Sequence, residues 1–170
     1  MSLPSATPPL RVLVVDDSAL YRKVVRAVLE QLPNVEVIGH AQNGRLALER
    51  IIADRPDALT LDMEMPELDG LGLLRELGER QLPLAAIMIS TLTAAGAQAT
   101  SQALQLGAFD FVLKPTLPDM AANERQLRAD LAPRIEACRT LRRGGRPSAR
   151  PLPIAPPRAP SAALRRTPEL

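Results

Sequence analysis

Four places in this chain carry side chains able to do chemistry together. They are the adjacent acids Asp16 and Asp17, a third acid at Asp62, a hydroxyl at Ser90 or Thr91, and a lysine, Lys114, directly before Pro115. Each stands at the end of a short apolar run: "RVLVV" before Asp16, "DALTLD" ending on Asp62, "LAAIMIS" ending on Ser90, "FDFVLK" ending on Lys114. Three carboxylates gathered in one place repel one another unless a cation is present. A site built only from oxygen donors suits Mg²⁺, which keeps several waters and takes few protein ligands plus phosphate. A lysine is a compact point charge for a phosphoryl group, and a hydroxyl can hydrogen-bond one of its oxygens. A carboxylate can act as a nucleophile and form an acyl phosphate. Cation and lysine stabilise the transferring charge, and positioning does most of the rest. The set describes a phosphoryl-transfer site, with a divalent cation between Asp16, Asp17 and Asp62.

Such a set needs a scaffold that brings distant positions together. The apolar runs at 11–15, 35–39, 57–62, 84–90 and 109–114 are short, rich in Val, Ile, Leu and Phe, and mostly without period-two alternation. That suits strands buried on both faces, as in a parallel sheet. Helix-like segments lie between them. Residues 18–32 place Leu20, Val24, Val28 and Leu32 on one stripe, with Ser18 as N-cap. Segments 44–54, 69–80 and 94–107 repeat the pattern, the last closing on Gly107 where a C-cap glycine belongs. A final helix is expected over about 118–142, with Pro118 in its first turn and a kink or break near 132 ahead of Pro133. Strand and helix alternating five times argue a doubly wound α/β sheet. Such sheets carry their sites beyond the carboxyl ends of the strands, where all four places fall.

Composition bounds the rest. A length of 170 residues suggests one domain and a little more. Cys138 is the only cysteine, so no internal disulfide is possible, which fits a reducing compartment. The start has neither a basic region nor a long apolar run, so no signal peptide is expected, and no stretch is long enough for a membrane span. The expectation is a soluble cytoplasmic protein. Residues 1–138 hold 13 Lys/Arg against 18 Asp/Glu, whereas residues 139–170 hold 8 Arg against one Glu. The folded part is therefore acidic and the basic character belongs to the tail. From Gly144 the chain carries seven of its 17 prolines, which reads as a Pro/Ala/Arg linker or disordered tail. No recognition module or aromatic platform accompanies these arginines, so nucleic acid is not an expected partner.

The motifs "VLVVDDSALYRK", "LTLDMEMPELDG", "IMISTLT" and "GAFDFVLKP" resemble the receiver domain of two-component response regulators, over roughly residues 10–135. The finer resemblance, through "DDSALYRK", "LDMEMPELDGL" and "ISTLTAAGAQATSQALQLGAFDFVLKP", is to the N-terminal regulatory domain of the chemotaxis protein-glutamate methylesterases. It implies a flavodoxin-like five-stranded sheet of order 2-1-3-4-5 flanked by five helices, spanning 10–142 between a flexible N-terminus (1–9) and the linker (143–170). It implies Asp62 as phosphoacceptor, and Mg²⁺ served by Asp16, Asp17, Asp62 and the Glu64 backbone carbonyl. It implies Ser90 as switch hydroxyl, Lys114 as phosphoryl clamp, Phe111 as a rotating switch aromatic and a cis Lys114–Pro115 bond. The implied partners are a chemotaxis-type histidine kinase and an effector, either an attached methylesterase domain or a receptor-linked protein. The family's esterase nucleophile lies in a Gly-rich segment after a strand, and these 170 residues hold no such segment. Tyr21 stands where the family often has a smaller or more flexible apolar residue, and is expected either to crowd the site or to pack on strand five.

Each residue also has a plainer reading. Asp16 and Asp17 could be a helix cap and its neighbour, Asp62 a turn residue, Lys114 a solvated lysine; their joint placement favours the site. Strand alignment favours Ser90 over Thr91. His40, after strand two, is read as a surface residue, and Cys138 as inert on the last helix. A free-standing receiver that docks partners or drains phosphate is the alternative to a tethered regulatory domain. A nucleotide-dependent enzyme on the same sheet would need glycines after strand one, where the chain reads "DDSALYR".

Overall fold

The computed structural model describes residues 7–91 and 93–142. The proposed linker (143–170) and most of the N-terminus (1–6) lie outside the described residues. Ten elements alternate without exception: β1 Leu10–Val15, α1 Ala19–Glu30, β2 Val35–Ala41, α2 Gly44–Asp54, β3 Ala58–Asp62, α3 Gly70–Glu79, β4 Ala85–Ser90, α4 Ala94–Gln105, β5 Asp110–Leu113 and α5 Met120–Arg142. The strands form one parallel sheet in the order β2-β1-β3-β4-β5. Its register slips once, where β2 bulges opposite Val12 and Leu13.

The missing period-two alternation now has its cause. Val12, Val14, Ala58, Ile87, Ile89 and Val112 point to one face, where α1 and α5 cover them with Val25, Val28, Leu29, Leu127, Leu131 and Ile135. Leu13, Val15, Leu59, Leu61, Ala86 and Met88 point to the other, against α2, α3 and α4. Burying such aliphatic side chains is worth about 1.5–3 kcal/mol each. With apolar residues demanded on both faces, a strand has no polar side to show.

Helix starts follow the local chemistry. Ser18, Asn43, Asp69 and Thr93 each cap a helix by accepting from the N–H three residues on. Gly107, at φ 99°, takes the left-handed turn after α4. Gly70 begins α3 against the backbone just past β3, where a Cβ would lie 2.6 Å from the Asp62 carbonyl oxygen. Only glycine lets α3 start this close to the strand end.

Three expectations need correction. The core face of α1 consists of Tyr21, Val24, Val25, Val28, Leu29 and Leu32, while Leu20 is exposed. At ~100° per residue, Leu20 lies roughly a quarter turn from the centre of that face. Secondly, α5 runs unbroken through Pro133, and begins at Met120, after Pro118. The carbonyl partner lost at Pro133 is tolerated because Leu127, Leu131 and Ile135 lock both halves of the helix onto the sheet. Arg134 Nη1 also donates to the Asp130 carbonyl at 2.6 Å. Thirdly, His40 lies within β2, not after it; it is exposed, as expected.

Candidate phosphoryl-transfer site

The parallel sheet delivers the carboxyl ends of β1, β3, β4 and β5 to one edge, and the predicted residues meet there. Asp16 and Asp62 are buried, at 2% and 3% exposure, while Asp17 is exposed. One carboxylate oxygen from each of the three lies within 4.8 Å of the others. Lys114 Nζ reaches in from the end of β5, 3.2 Å from Asp62 Oδ1 and 3.3 Å from Asp16 Oδ2. The backbone fixes the rest: Ser18 N–H donates to Asp16 Oδ1 at 2.8 Å, and Glu64 N–H to Asp62 Oδ1 at 3.3 Å.

Burial and like charge dominate the electrostatics. Burial first, then the neighbouring Asp16, push the Asp62 carboxyl from 3.8 up to about 7, against the pull of Lys114. Burial by itself would lower Lys114, but Asp16 and Asp62 outweigh it and hold its ammonium above the ordinary 10.5. One lysine thus offsets only part of the charge of three acids.

A divalent cation fits this donor set. The three acids present only hard oxygen ligands. Asp16 Oδ2 is fully buried and, despite its ion-pair distance to Lys114, accepts no well-aligned hydrogen bond. An orphaned buried carboxylate oxygen is costly unless another charge meets it.

The remaining predicted residues fall around this centre. Ser90, the last residue of β4, is 1% exposed, but its Oγ turns to α4 and lies 3.2 Å from Thr100 Oγ1. Thr91 is half-buried just beyond the strand. Phe111 is half-buried on β5, packed on the α2–α3–α4 side. Glu64 is exposed in the loop after β3. No cis peptide occurs among the described residues, so the expected cis Lys114–Pro115 bond is absent. The trans isomer is intrinsically favoured before proline by about 0.5–1 kcal/mol. The segment is tied down in that form, with Lys114 N–H donating to the Ser90 carbonyl at 2.8 Å and Tyr21 Oη to the Pro115 carbonyl at 3.0 Å.

Sequence reasoning missed two partners. Tyr21 lies at the site and does not merely pack on β5: its ring is under Lys114, with Nζ 4.5 Å from the centroid. Thr100 has no signal in sequence except its position one helical turn after Gly96. Cys138 is buried on α5, and burial, with Asp110 second, lifts its thiol to about 12.

Comparison with known proteins agrees with this geometry. The family profile of the response regulator receiver domain matches residues 12–123. A protein-glutamate methylesterase/protein-glutamine glutaminase of Desulfotalea psychrophila is 51% identical over 118 residues, covering 69% of this chain but 32% of that protein. One from Oleidesulfovibrio alaskensis is 43% identical over 159 residues, 94% of this chain and 42% of its own length. The chain therefore spans well under half of these relatives. The crystal structure of the response regulator domain of Thermotoga maritima CheB superposes with a TM-score of 0.69 at 38% identity, covering 78% of this chain and 97% of that one.

Proposed function

The chain belongs to the response regulator receiver family, close to the CheB regulatory domain, and from that premise we propose that it takes a phosphoryl group from a histidine kinase onto Asp62. The observation that carries the proposal is the convergence of Asp62 with two further acids and Lys114 at one sheet edge. An Asp62 carboxylate oxygen attacks the phosphorus of a phosphohistidine. The new O–P bond forms as the P–N bond breaks, and the departing imidazole is protonated by solvent. Asp62 must be ionised to attack, which burial resists; Lys114 and the backbone N–H of Glu64 favour the ionised form. Lys114 then holds phosphoryl oxygens from the position it already occupies, joined by the hydroxyl of Ser90.

Asp16, Asp17, Asp62 and the Glu64 carbonyl would hold Mg²⁺. When bound, the cation supplies charge neutralisation for the acids and for the transferring oxygens. Inward movement of Ser90 vacates space into which Phe111 turns, and the β4–α4–β5 surface changes with it, a shift between two packings. We read 10–142 as the receiver and 143–170 as the linker to an effector, by its relatives a protein-glutamate methylesterase domain. The partners are then a chemotaxis-type kinase and that effector, in the cytoplasm. Among the described residues, no helix is long and apolar enough to cross a membrane.

The test is phosphoryl uptake from a small phosphodonor such as acetyl phosphate in Mg²⁺, followed by intact mass. The wild type should gain one phosphoryl group and Asp62→Ala none, with its circular dichroism unchanged. Undiminished uptake by the variant would remove Asp62 from the role.

A further inference from the structure

We propose that Thr100 on α4 is a latch that holds the Ser90 hydroxyl away from the phosphoryl site by taking its only proton. The inference rests on the reading of Asp62 and Ser90 above and adds the residue that opposes their engagement.

The argument is an accounting of protons. Thr100 Oγ1 lies 2.8 Å from the Gly96 carbonyl oxygen. A carbonyl only accepts, so the single hydroxyl proton of Thr100 is committed there. At the 3.2 Å contact between Ser90 Oγ and Thr100 Oγ1, the donor must therefore be Ser90. Phosphoryl oxygens are acceptors as well, so Ser90 can serve them only as a donor, and it has one proton to give. The two engagements exclude each other. Both hydroxyls are buried, Ser90 at 1% and Thr100 at 6% exposure, so water does not readily stand in for either partner.

The latch also ties the site to α4. Thr93 caps that helix on Gly96, and Gly96 accepts from Thr100. Withdrawal of the Ser90 proton thus releases a side chain anchored in the first two turns of α4. Removing the Thr100 acceptor leaves the outward Ser90 hydroxyl buried without a partner, which raises the unphosphorylated arrangement relative to the engaged one. A typical net hydrogen-bond contribution corresponds to a shift of about threefold to tenfold in that equilibrium.

The experiment measures binding of beryllium trifluoride with Mg²⁺, a phosphoryl mimic, to the 170-residue chain by isothermal calorimetry. Thr100→Val should bind about threefold to tenfold more tightly than wild type, and Thr100→Ser, which restores the hydroxyl, as wild type does. Thr100→Ala removes the same acceptor with a better helix former, and serves should valine distort α4. In a Ser90→Ala background, Thr100→Val should change nothing. Unaltered or weaker binding by both Thr100→Val and Thr100→Ala overturns the latch. So does tightening that survives in Ser90→Ala, since Thr100 would then act on α4 and not through Ser90. No binding by the wild type overturns the reading of Asp62 itself, and the latch with it.

Discussion

Replacing Asp62 by Asn should make the metal-free protein more stable, against the usual result of altering a buried site. Asn keeps the shape and an acceptor oxygen for the Glu64 N–H, while removing a charge that burial disfavours and Asp16 repels. The rise of the Asp62 carboxyl from 3.8 to about 7 has a definite sign. A folded-state pKa above the unfolded one means a contribution to stability that is complete below pH ~4 and lost as pH rises through ~7. A shift of roughly three units has a ceiling of about 4 kcal/mol at 1.36 kcal/mol per unit. Asp17 is exposed, so solvent softens the repulsion, and Asn forfeits the 3.2 Å contact with the Lys114 ammonium as an ion pair. We therefore expect a gain of about 1–3 kcal/mol at pH ~8. For a domain of this size that is a rise of about 4–12 °C in Tm. Thermal denaturation followed by circular dichroism, in chelator, at pH ~5 and pH ~8, gives the comparison. The advantage of Asp62→Asn should be larger at the higher pH. Saturating Mg²⁺ should then narrow it, because a ligand that binds only the folded state stabilises the wild type by mass action. Equal stability of the two proteins at pH ~8 in chelator, or a less stable variant, would refute the claim that burial and the neighbouring Asp16 outweigh Lys114 at the Asp62 carboxylate.

Other expectations follow from particular contacts. Asp17→Ala should weaken Mg²⁺ binding by tenfold or more in calorimetry, since it removes one of three convergent carboxylates; unchanged affinity would put the cation elsewhere. Tyr21→Phe loses the hydrogen bond to the Pro115 carbonyl but keeps the ring beneath Lys114, so it should cost about 1 kcal/mol in urea denaturation. Tyr21→Leu should cost about 0.5–1 kcal/mol more by losing the ring as well. Pro133→Ala restores a helical N–H opposite the Ala129 carbonyl and should raise Tm, by about 1–3 kcal/mol of stability; a lower Tm would mean that the ring itself packs usefully. Cys138, buried with its thiol lifted to about 12, should resist a thiol-reactive disulfide reagent at pH ~8 until the protein is unfolded.

Much of this protein is legible in the order of its residues. Five aliphatic runs without alternation specify a sheet covered on both faces, because only burial on both sides removes the need for polar positions. Ser18, Asn43, Asp69 and Thr93 are the residue types that cap helices, and all four do so. Once the runs are strands of a parallel sheet, their carboxyl ends share one edge. Asp16, Asp17, Asp62 and Lys114 must then meet, whatever their separation along the chain.

What the tertiary structure decided is which way side chains turn and what they touch. Leu20 fits the apolar stripe of α1 by spacing, yet the face that packs is centred about a quarter turn away and leaves it in solvent. Pro133 breaks helices in isolation, but packing on both sides of it holds α5 together. The Lys114–Pro115 bond is trans, the form favoured before proline by about 0.5–1 kcal/mol, where the resemblance implies cis. Tyr21 beneath Lys114 and Thr100 against Ser90 join residues whose local sequences carry no mark of each other. Periodicity assigns a residue to a face; only the packed neighbours determine which single hydrogen bond its hydroxyl makes there.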